Sequence, residues 1–382
     1  MKKVGIITFH KSLNYGSAMQ AWALSHYIKE LGLDVKIIDY TPNNYSDYYS
    51  MFWKPASLGN IKGDILHLVW LSFLKRRKEG YSYFTKNHLP VSIKKYKEND
   101  DISDFVSAQD IMLCGSDQIW NPLARDFSMN FFLSNCTCKR KISYAPSIGN
   151  RRLEDANDPD LIRKCLLDFD YISVREQSGA DNINEFLHGE KKAEVVLDPT
   201  LLLKASDYNE ITCKKRISKP YIFFYSVWYN SSAVRAALVL SKKHRLPIYT
   251  MMSGRGNLTL FKNMLKIKFP PIDGGPSGFL SMMRNAKYVV TDSFHGTAFS
   301  VIFEKKFVVI NNKKSDGSLQ NDKRICNLLS ILDLESRYIT EEKAGSFDLD
   351  SEIDYTEVTN KRLKEAEKSK DYLKRALGFE DK

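Results

Sequence analysis

Long apolar runs are missing from this chain of 382 residues. ILHLVWLSFL, residues 65–74, reaches about ten residues, half of what a bilayer-spanning helix needs, and LKRRK follows at once. The opening MKKVGIITFHKS holds six residues from Val4 to Phe9 before His10 and Lys11, too short for the apolar core of a signal peptide. The expectation is a protein that stays in the cytoplasm. Low-complexity stretches are absent too, and 43% hydrophobic with 27% charged residues describes a globular chain.

Cysteine is sparse and scattered. Of Cys114, Cys136, Cys138, Cys165, Cys213 and Cys326, only Cys136 and Cys138 lie close, with no second pair to complete a zinc site. All six are expected as reduced thiols, mostly interior, and no metal is expected. The chain has no G-x-G-x-x-G and no P-loop, which argues against a dinucleotide or Walker-type site. It has no G-x-S-x-G either, so Ser293 and His295 do not suggest a hydrolase triad.

Positive charge is in excess, with 57 Lys and Arg against 46 Asp and Glu, a net +11. Such a balance suits an anionic partner: nucleic acid, acidic lipid or a phosphorylated metabolite. Because the basic residues are spread along the chain and no finger, helix-turn-helix or RNA-binding signature occurs, nucleic acid is not expected.

What is present is a rhythm of short β-branched and aromatic runs. VGIITF (4–9), VKIIDY (35–40), DIMLCG (110–115), KISYAPS (141–147), YISVRE (171–176) and VVLDPT (195 onwards) form one series. After a lysine-rich interval at 204–219 come YIFFYSV (221–227), PIYTMM (247–252), YVVTDSF (288–294) and FVVIN (307–311). Runs apolar enough to be covered on both faces, spaced by crossover lengths, predict parallel sheets in an α/β fold. Two domains follow, 1–190 and 191–345, with a hinge-like LDPT and KKRISKP region between them. A tail, 346–382, places Leu363, Ala366, Lys370, Leu373 and Leu377 near one face of a charged helix that packs back across a domain.

Residues 45–90 interrupt the rhythm. Two readings compete: a helical insertion packed on the core, or an amphipathic patch resting on an anionic membrane with Trp53 and Trp70 as anchors and Lys75 to Lys78 facing headgroups.

Ligands of parallel α/β domains bind beyond the carboxyl ends of the strands, so the residues after each run are the candidates. After the first run, Asn14, Tyr15, Gly16, Ser17 and Gln20 open a helix and offer amides and hydrogen-bonding groups, though a plain turn with a cap explains them equally. After the third, Asp117, Gln118 and Trp120 combine carboxylate, amide and aromatic face, which suits a sugar; helix capping is the alternative. Arg175 and Glu176 end YISVRE, where the arginine fork suits a carboxylate or phosphate, and an ion pair is the plain explanation. In TDSFHGTAFSVI a helix is expected to begin near Gly296, with the amides of Gly296, Thr297 and Ala298 turned to an anion and His295 at the lip.

Taken in order, NYGSAMQAWAL, GSDQIWNP, ISYAPSIG, ISVREQSG, VLDPTLLL, TDSFHGTAFSVIFEKKF and KRICNLLSILDLESR resemble the polysaccharide pyruvyl transferase family over residues 3 to 340. The resemblance implies two Rossmann-like domains in a glycosyltransferase-B-like arrangement. It also implies transfer of a pyruvyl group from phosphoenolpyruvate to two hydroxyls of a hexose, forming a ketal on a bacterial cell-surface polysaccharide precursor, with no cofactor. The family histidine falls on His295 and a donor arginine on Arg175. Many relatives carry an arginine two residues before that histidine; this chain has Ser293, and Arg324 is taken to supply the anion contact.

On this reading His295, Arg175, Ser293, Gly296, Thr297 and Arg324 hold the donor on the second domain, and His295 is the general acid. Asn14, Tyr15, Gly16, Ser17, Asp117, Gln118, Gln20 and Trp120 hold a hexose acceptor on the first, Asp117 as ligand or base. A lipid-linked acceptor and a peripheral contact with the inner membrane face stay open. Two rivals remain: a nucleotide-sugar glycosyltransferase, which needs a base-and-ribose pocket in the second domain with Asp273 or Glu304 its candidate acids, and a non-catalytic glycan or lipid binder.

Overall fold

The computed structural model describes residues 1–43, 58–134, 136–254 and 258–379, with side chains from Trp70 onward in the helix that opens at 58. Trp53 lies outside the described residues.

The first domain alternates β1 (Lys3–Ile7), α1 (Tyr15–Glu30), β2 (Asp34–Thr41), α2 (Leu58–His88), β3 (Val91–Lys97), α3 (Ser103–Ser107), β4 (Ile111–Cys114) and β5 (Lys141–Ser143). After β5 come α4 (Pro159–Leu167), β6 (Ile172–Val174), α5 (Gln177–Phe186) and β7 (Ala193–Val195). The sheet order is β3-β2-β1-β4-β5, all parallel, with Val4 opposite both Val35 and Ile111. β6 and β7 pair in parallel as a short extension, bridged to β5 where Ile142 faces Tyr171.

The second domain runs β8 (Ile222–Tyr225), α6 (Ser231–His244), β9 (Ile248–Tyr249), α7 (Leu258–Lys262), β10 (Ile267–Lys268), α8 (Pro276–Asn285), β11 (Tyr288–Thr291), α9 (Phe294–Ile302), β12 (Lys306–Ile310), α10 (Lys323–Ile331) and β13 (Tyr338–Ile339). Its six parallel strands are ordered β10-β9-β8-β11-β12-β13. Each sheet therefore reverses direction once, between β1 and β4 and between β8 and β11, and these switch points open ligand crevices.

The strands expected from aromatic and β-branched runs are present. Those missed are β3, whose Ile93 is fully exposed, and the two-residue edge strands β10 and β13, too polar or too short for an apolar run.

α1 is buried on nearly every side because it lies between the domains, and its buried polar Ser17, Gln20 and Ser25 are hydrogen-bonded inside. One apolar cluster runs through both, from Ile6 and Trp22 to Phe223 and Phe299. The last helix, α11 (Tyr355–Ala376), crosses from one domain to the other. Near its start the Tyr355 hydroxyl donates to Lys305 O; further along, Arg362 donates to Leu201 O and Leu203 O, both at 2.9 Å, and Tyr372 donates to Ser143 O at 2.9 Å.

Within the insertion, Trp70 is 1% exposed and packs with Phe73 and Phe269 in the second domain's core, so it is not an interfacial anchor. Arg76 donates to Ile272 O, and Arg77, buried, donates to Gly254 O at 3.0 Å and to Leu13 O. These two cations are thus turned into protein rather than toward headgroups. Lys75 is exposed beside Glu79. No helix among the described residues is long and apolar enough to cross a membrane.

Candidate active site

Four strand ends and one helix start converge where the domains meet. Asp198, just after β7, is fully buried, and its Oδ2 lies 2.8 Å from Arg175 Nη2, 3.5 Å from His295 Nε2 and 3.1 Å from the donating Ser116 hydroxyl. Its Oδ1 accepts from the Thr200 amide at 2.9 Å and hydroxyl at 2.6 Å. Burial alone would push this carboxyl up, but the Arg175 guanidinium and His295 outweigh it and hold the carboxyl well below the usual range. Arg175 also donates to Ser116 Oγ at 2.5 Å, while its Nε and Nη1 are buried with no partner.

His295 sits in the first turn of α9, whose N-cap is Ser293. The Thr297 amide already donates to Ser293 O at 3.0 Å, and the Thr297 hydroxyl does the same at 3.0 Å. The helix thus begins two residues earlier than its sequence suggested, at Phe294. The amides beyond the reach of the first turn are those of Phe294, His295 and Gly296, rather than Gly296, Thr297 and Ala298. Gly296 serves packing: a β-carbon there would fall 2.1 Å from Thr291 Oγ1. Ser293 is buried, its amide donating to Thr291 Oγ1 at 3.1 Å.

The Phe294 ring lies between two guanidiniums, with Arg175 at 4.9 Å and Arg324 at 6.0 Å from its centroid. Arg324 forks onto Asp322 through Nε at 3.0 Å and Nη2 at 2.6 Å. With the Gln118 amide oriented to satisfy the network, its oxygen accepts from Arg324 Nη1 at 2.5 Å and Nη2 at 2.9 Å, a contact across the domains. Burial pushes the neighbouring Glu176 carboxyl up against the pull of Arg175; it accepts from the Ser147 hydroxyl at 2.8 Å and makes no ion pair with Arg175, whose partner is Asp198.

On the facing side, Asp117 adopts φ +80°, ψ −177°, backbone that favours glycine and costs about 1–3 kcal/mol for other residues. It is held there by its carbonyl accepting from Ser147 N at 2.8 Å, by Gln118 N donating to its Oδ1 at 2.8 Å and by the Ser17 hydroxyl donating to Oδ2. Gly16 abuts His295 directly: a β-carbon on Gly16 would fall 1.9 Å from His295 Nδ1.

The remaining candidates face elsewhere. Asn14 caps α1, accepting from Gly16 N at 2.9 Å. Tyr15 is buried, stacked on Phe279 at 5.0 Å with its hydroxyl near Met252 O and Gly274 O, so it joins the domains rather than facing a sugar. Gln20 is buried and donates to Thr8, Phe9 and Ser17. Trp120 is fully buried, stacked on Phe132 at 5.0 Å with its N–H on Phe131 O, so the face expected to receive a sugar ring is covered. Asp273 caps the start of α8 by accepting from Gly275 and Gly278, and Glu304 lies at the far end of α9.

Asp198 and Thr200 are not singled out by the sequence, and Ser116 reads there only as a cap. LDPT reads as a hinge, yet Asp198 obeys the same strand-end rule that singled out the other candidates. Among the described residues no three His, Cys, Asp or Glu side chains stand together as a metal site would require.

Two parallel α/β domains meeting over these residues define a glycosyltransferase-B-like fold. The solved structures agree on fold. A Listeria monocytogenes protein assigned as UDP-N-acetylglucosamine 2-epimerase matches at 11% identity and TM-score 0.53, covering 100% of this chain and 98% of its own. Trehalose-6-phosphate synthase OtsA matches at 10% identity and TM-score 0.53, covering 100% of both chains. UDP-GlcNAc 2-epimerase of Methanocaldococcus jannaschii, in complex with UDP-GlcNAc and UDP, matches at 14% and TM-score 0.50, covering 98% of this chain and 100% of its own. No curated protein sequence matches. The family model described as polysaccharide pyruvyl transferase matches residues 14–314, and the chain belongs to that family.

Proposed function

We propose that this protein transfers the pyruvyl group of phosphoenolpyruvate to two hydroxyls of a hexose unit in a cell-surface polysaccharide precursor, releasing phosphate. The observation that carries this reading is the meeting of His295 and Arg324 from one domain with Arg175, Asp198, Gln118 and Asp117 from the other. Phosphoenolpyruvate has a carboxylate and a phosphate, and two guanidiniums beside a helix start suit such a pair of anions. Arg175, with two buried nitrogens unpartnered, and Arg324 are assigned to the donor. Asp198, with Oδ2 3.5 Å from His295 Nε2, is assigned as the residue that positions the imidazole.

In the proposed step His295 gives a proton to the methylene carbon while a sugar hydroxyl oxygen bonds to the adjacent carbon. The C–O bond to phosphate then breaks, and the second hydroxyl closes the ketal at the same carbon. Of the two hydroxyl protons, one replaces that lost by His295 and the other leaves on phosphate, so the balance is complete. Asp117, bonded to Ser17 at the α1 start, is assigned to receive a hydroxyl proton. The net +11 makes a lipid-diphosphate-linked saccharide the acceptor form to test first.

The test is thermal stability of the wild type and His295→Ala with phosphoenolpyruvate and with nucleotide sugars, followed by phosphate release with acceptor. A ligand at a hundred times its Kd stabilises by about 2.7 kcal/mol, enough to read as a shifted Tm. Stabilisation by phosphoenolpyruvate that weakens in the variant is expected. Silence toward phosphoenolpyruvate with a response to nucleotide sugars, or full turnover by His295→Ala, sinks the reading.

A further inference from the structure

The switch point of the second sheet carries a polar cluster that the chemistry above leaves unused. Asp292 follows β11, Ser226 follows β8, Asn230 precedes α6 and Asn312 lies two residues past β12. Ser226 Oγ at 2.9 Å, Asn230 Nδ2 at 2.8 Å and Asn312 Nδ2 at 2.7 Å all donate to one oxygen, Oδ2 of Asp292. No cation among the described residues pairs with this carboxylate, and burial pushes it above the usual range against those three donors. Asn312 is 5% exposed, and its amide oxygen has no partner. A buried acceptor left unbonded costs about 1–3 kcal/mol, so it marks a place where a donor is expected.

The same oxygen ties down both ends of the loop from Ser226 to Asn230. Ser253 Oγ donates to the carbonyls of Ser226 and Val227. Tyr229 has φ +50° and turns inward, its hydroxyl donating to Met251 O at 2.7 Å. Between these anchors Trp228 is 58% exposed. A single exposed aromatic is ordinary by itself. Here it stands on a loop whose two ends, Ser226 and Asn230, both bond the Asp292 carboxylate, and that combination selects a ligand class. An anion is disfavoured beside an unpaired carboxylate, while a sugar ring offers hydroxyl donors for the oxygens and an apolar face for the indole.

We propose that Trp228, Asp292 and Asn312 form a second saccharide subsite, which takes a neutral sugar unit adjoining the one that receives pyruvate. The inference rests on the function proposed above. Asp292 is three residues before His295 in the single connection between β11 and α9, so one turn serves subsite and reaction centre. The acceptor is then an oligosaccharide, with a monosaccharide filling only half of the cleft.

The full chain is applied to an array of neutral mono- to tetrasaccharides, with uridine diphosphate as a separate probe and no phosphoenolpyruvate present. Binding of at least one oligosaccharide is expected, at least tenfold tighter than its component monosaccharides. Trp228→Ala should lose at least tenfold in that binding, and Trp228→Phe should recover most of it. Thermal unfolding of each variant separates lost binding from lost folding. The subsite is overturned if no array saccharide binds, if Trp228→Ala binds as the wild type does, or if uridine diphosphate binds through Trp228 and saccharides do not. Saccharide binding through Trp228 with no response to phosphoenolpyruvate would instead sink the pyruvyl reading and leave the subsite standing.

Discussion

The α-carbon of Gly16, in the first turn of the first domain's opening helix, faces the imidazole of His295 from the second domain with no room for another atom. Glycine at this position is a requirement of approach between domains, since its backbone is ordinary helix. Gly16→Ala places a methyl group where the ring stands. Overpacking of this kind costs about 1–3 kcal/mol. Turnover should fall about tenfold or more with a lowered Tm, and wild-type kcat/KM in this variant would show that the ring has space to move.

Asp198→Asn strands Arg175 in the interior, and loss of one partner of a buried pair costs about 3–5 kcal/mol. The Asp198 carboxyl is depressed in the folded protein, so its contribution is present above the ordinary aspartate range, near pH ~3.9, and is lost as pH falls through the lower folded value. Urea midpoints of wild type and variant should differ fully at pH 7 and converge in strong acid. A gap independent of pH would show that the carboxylate charge is not the source.

Glu176 has the opposite sign. Its folded carboxyl is raised by burial, so relative to Glu176→Gln the wild type keeps its stability below about pH 4.3 and loses it as pH rises through the folded value. The glutamine variant should be at least as stable as wild type at pH 8. Marked destabilisation there would mean that the charge is needed by Arg175 and Arg324.

Cys136 Sγ donates to Cys138 Sγ at 3.3 Å, and that bond holds the partly exposed Cys138 thiol down to about 7, while burial pushes Cys114 and Cys165 up. Thiolate is the reactive form. Iodoacetamide followed by peptide mass analysis should label Cys138 before Cys114 or Cys165, with its rate half-maximal near pH 7. A rate still climbing at pH 9 would contradict the assignment.

Trp70→Ala removes a large side chain from the second domain's core, at about 3–5 kcal/mol. A large drop in Tm is expected, and flotation with anionic vesicles should not depend on Trp70 in the folded protein. Weaker flotation at unchanged stability would restore the indole as a membrane anchor.

Much of the architecture was legible in the chain. Buried parallel strands are covered on both faces and so read as continuous runs such as YIFFYSV and YVVT, and the strand-end rule singles out Asp117, Arg175 and His295, which the fold places where the domains meet. Capping and burial are not written in those runs: Trp120 and Tyr15 have the side chains of sugar-binding residues, yet packing against Phe132 and Phe279 turned both inward. By itself the sequence determined two parallel α/β domains, because apolar periodicity is a local property. Only the tertiary structure decided that Asp198 partners both Arg175 and His295, that Gly16 touches His295 and that Gln118 meets Arg324, because each of these contacts joins residues far apart in the chain.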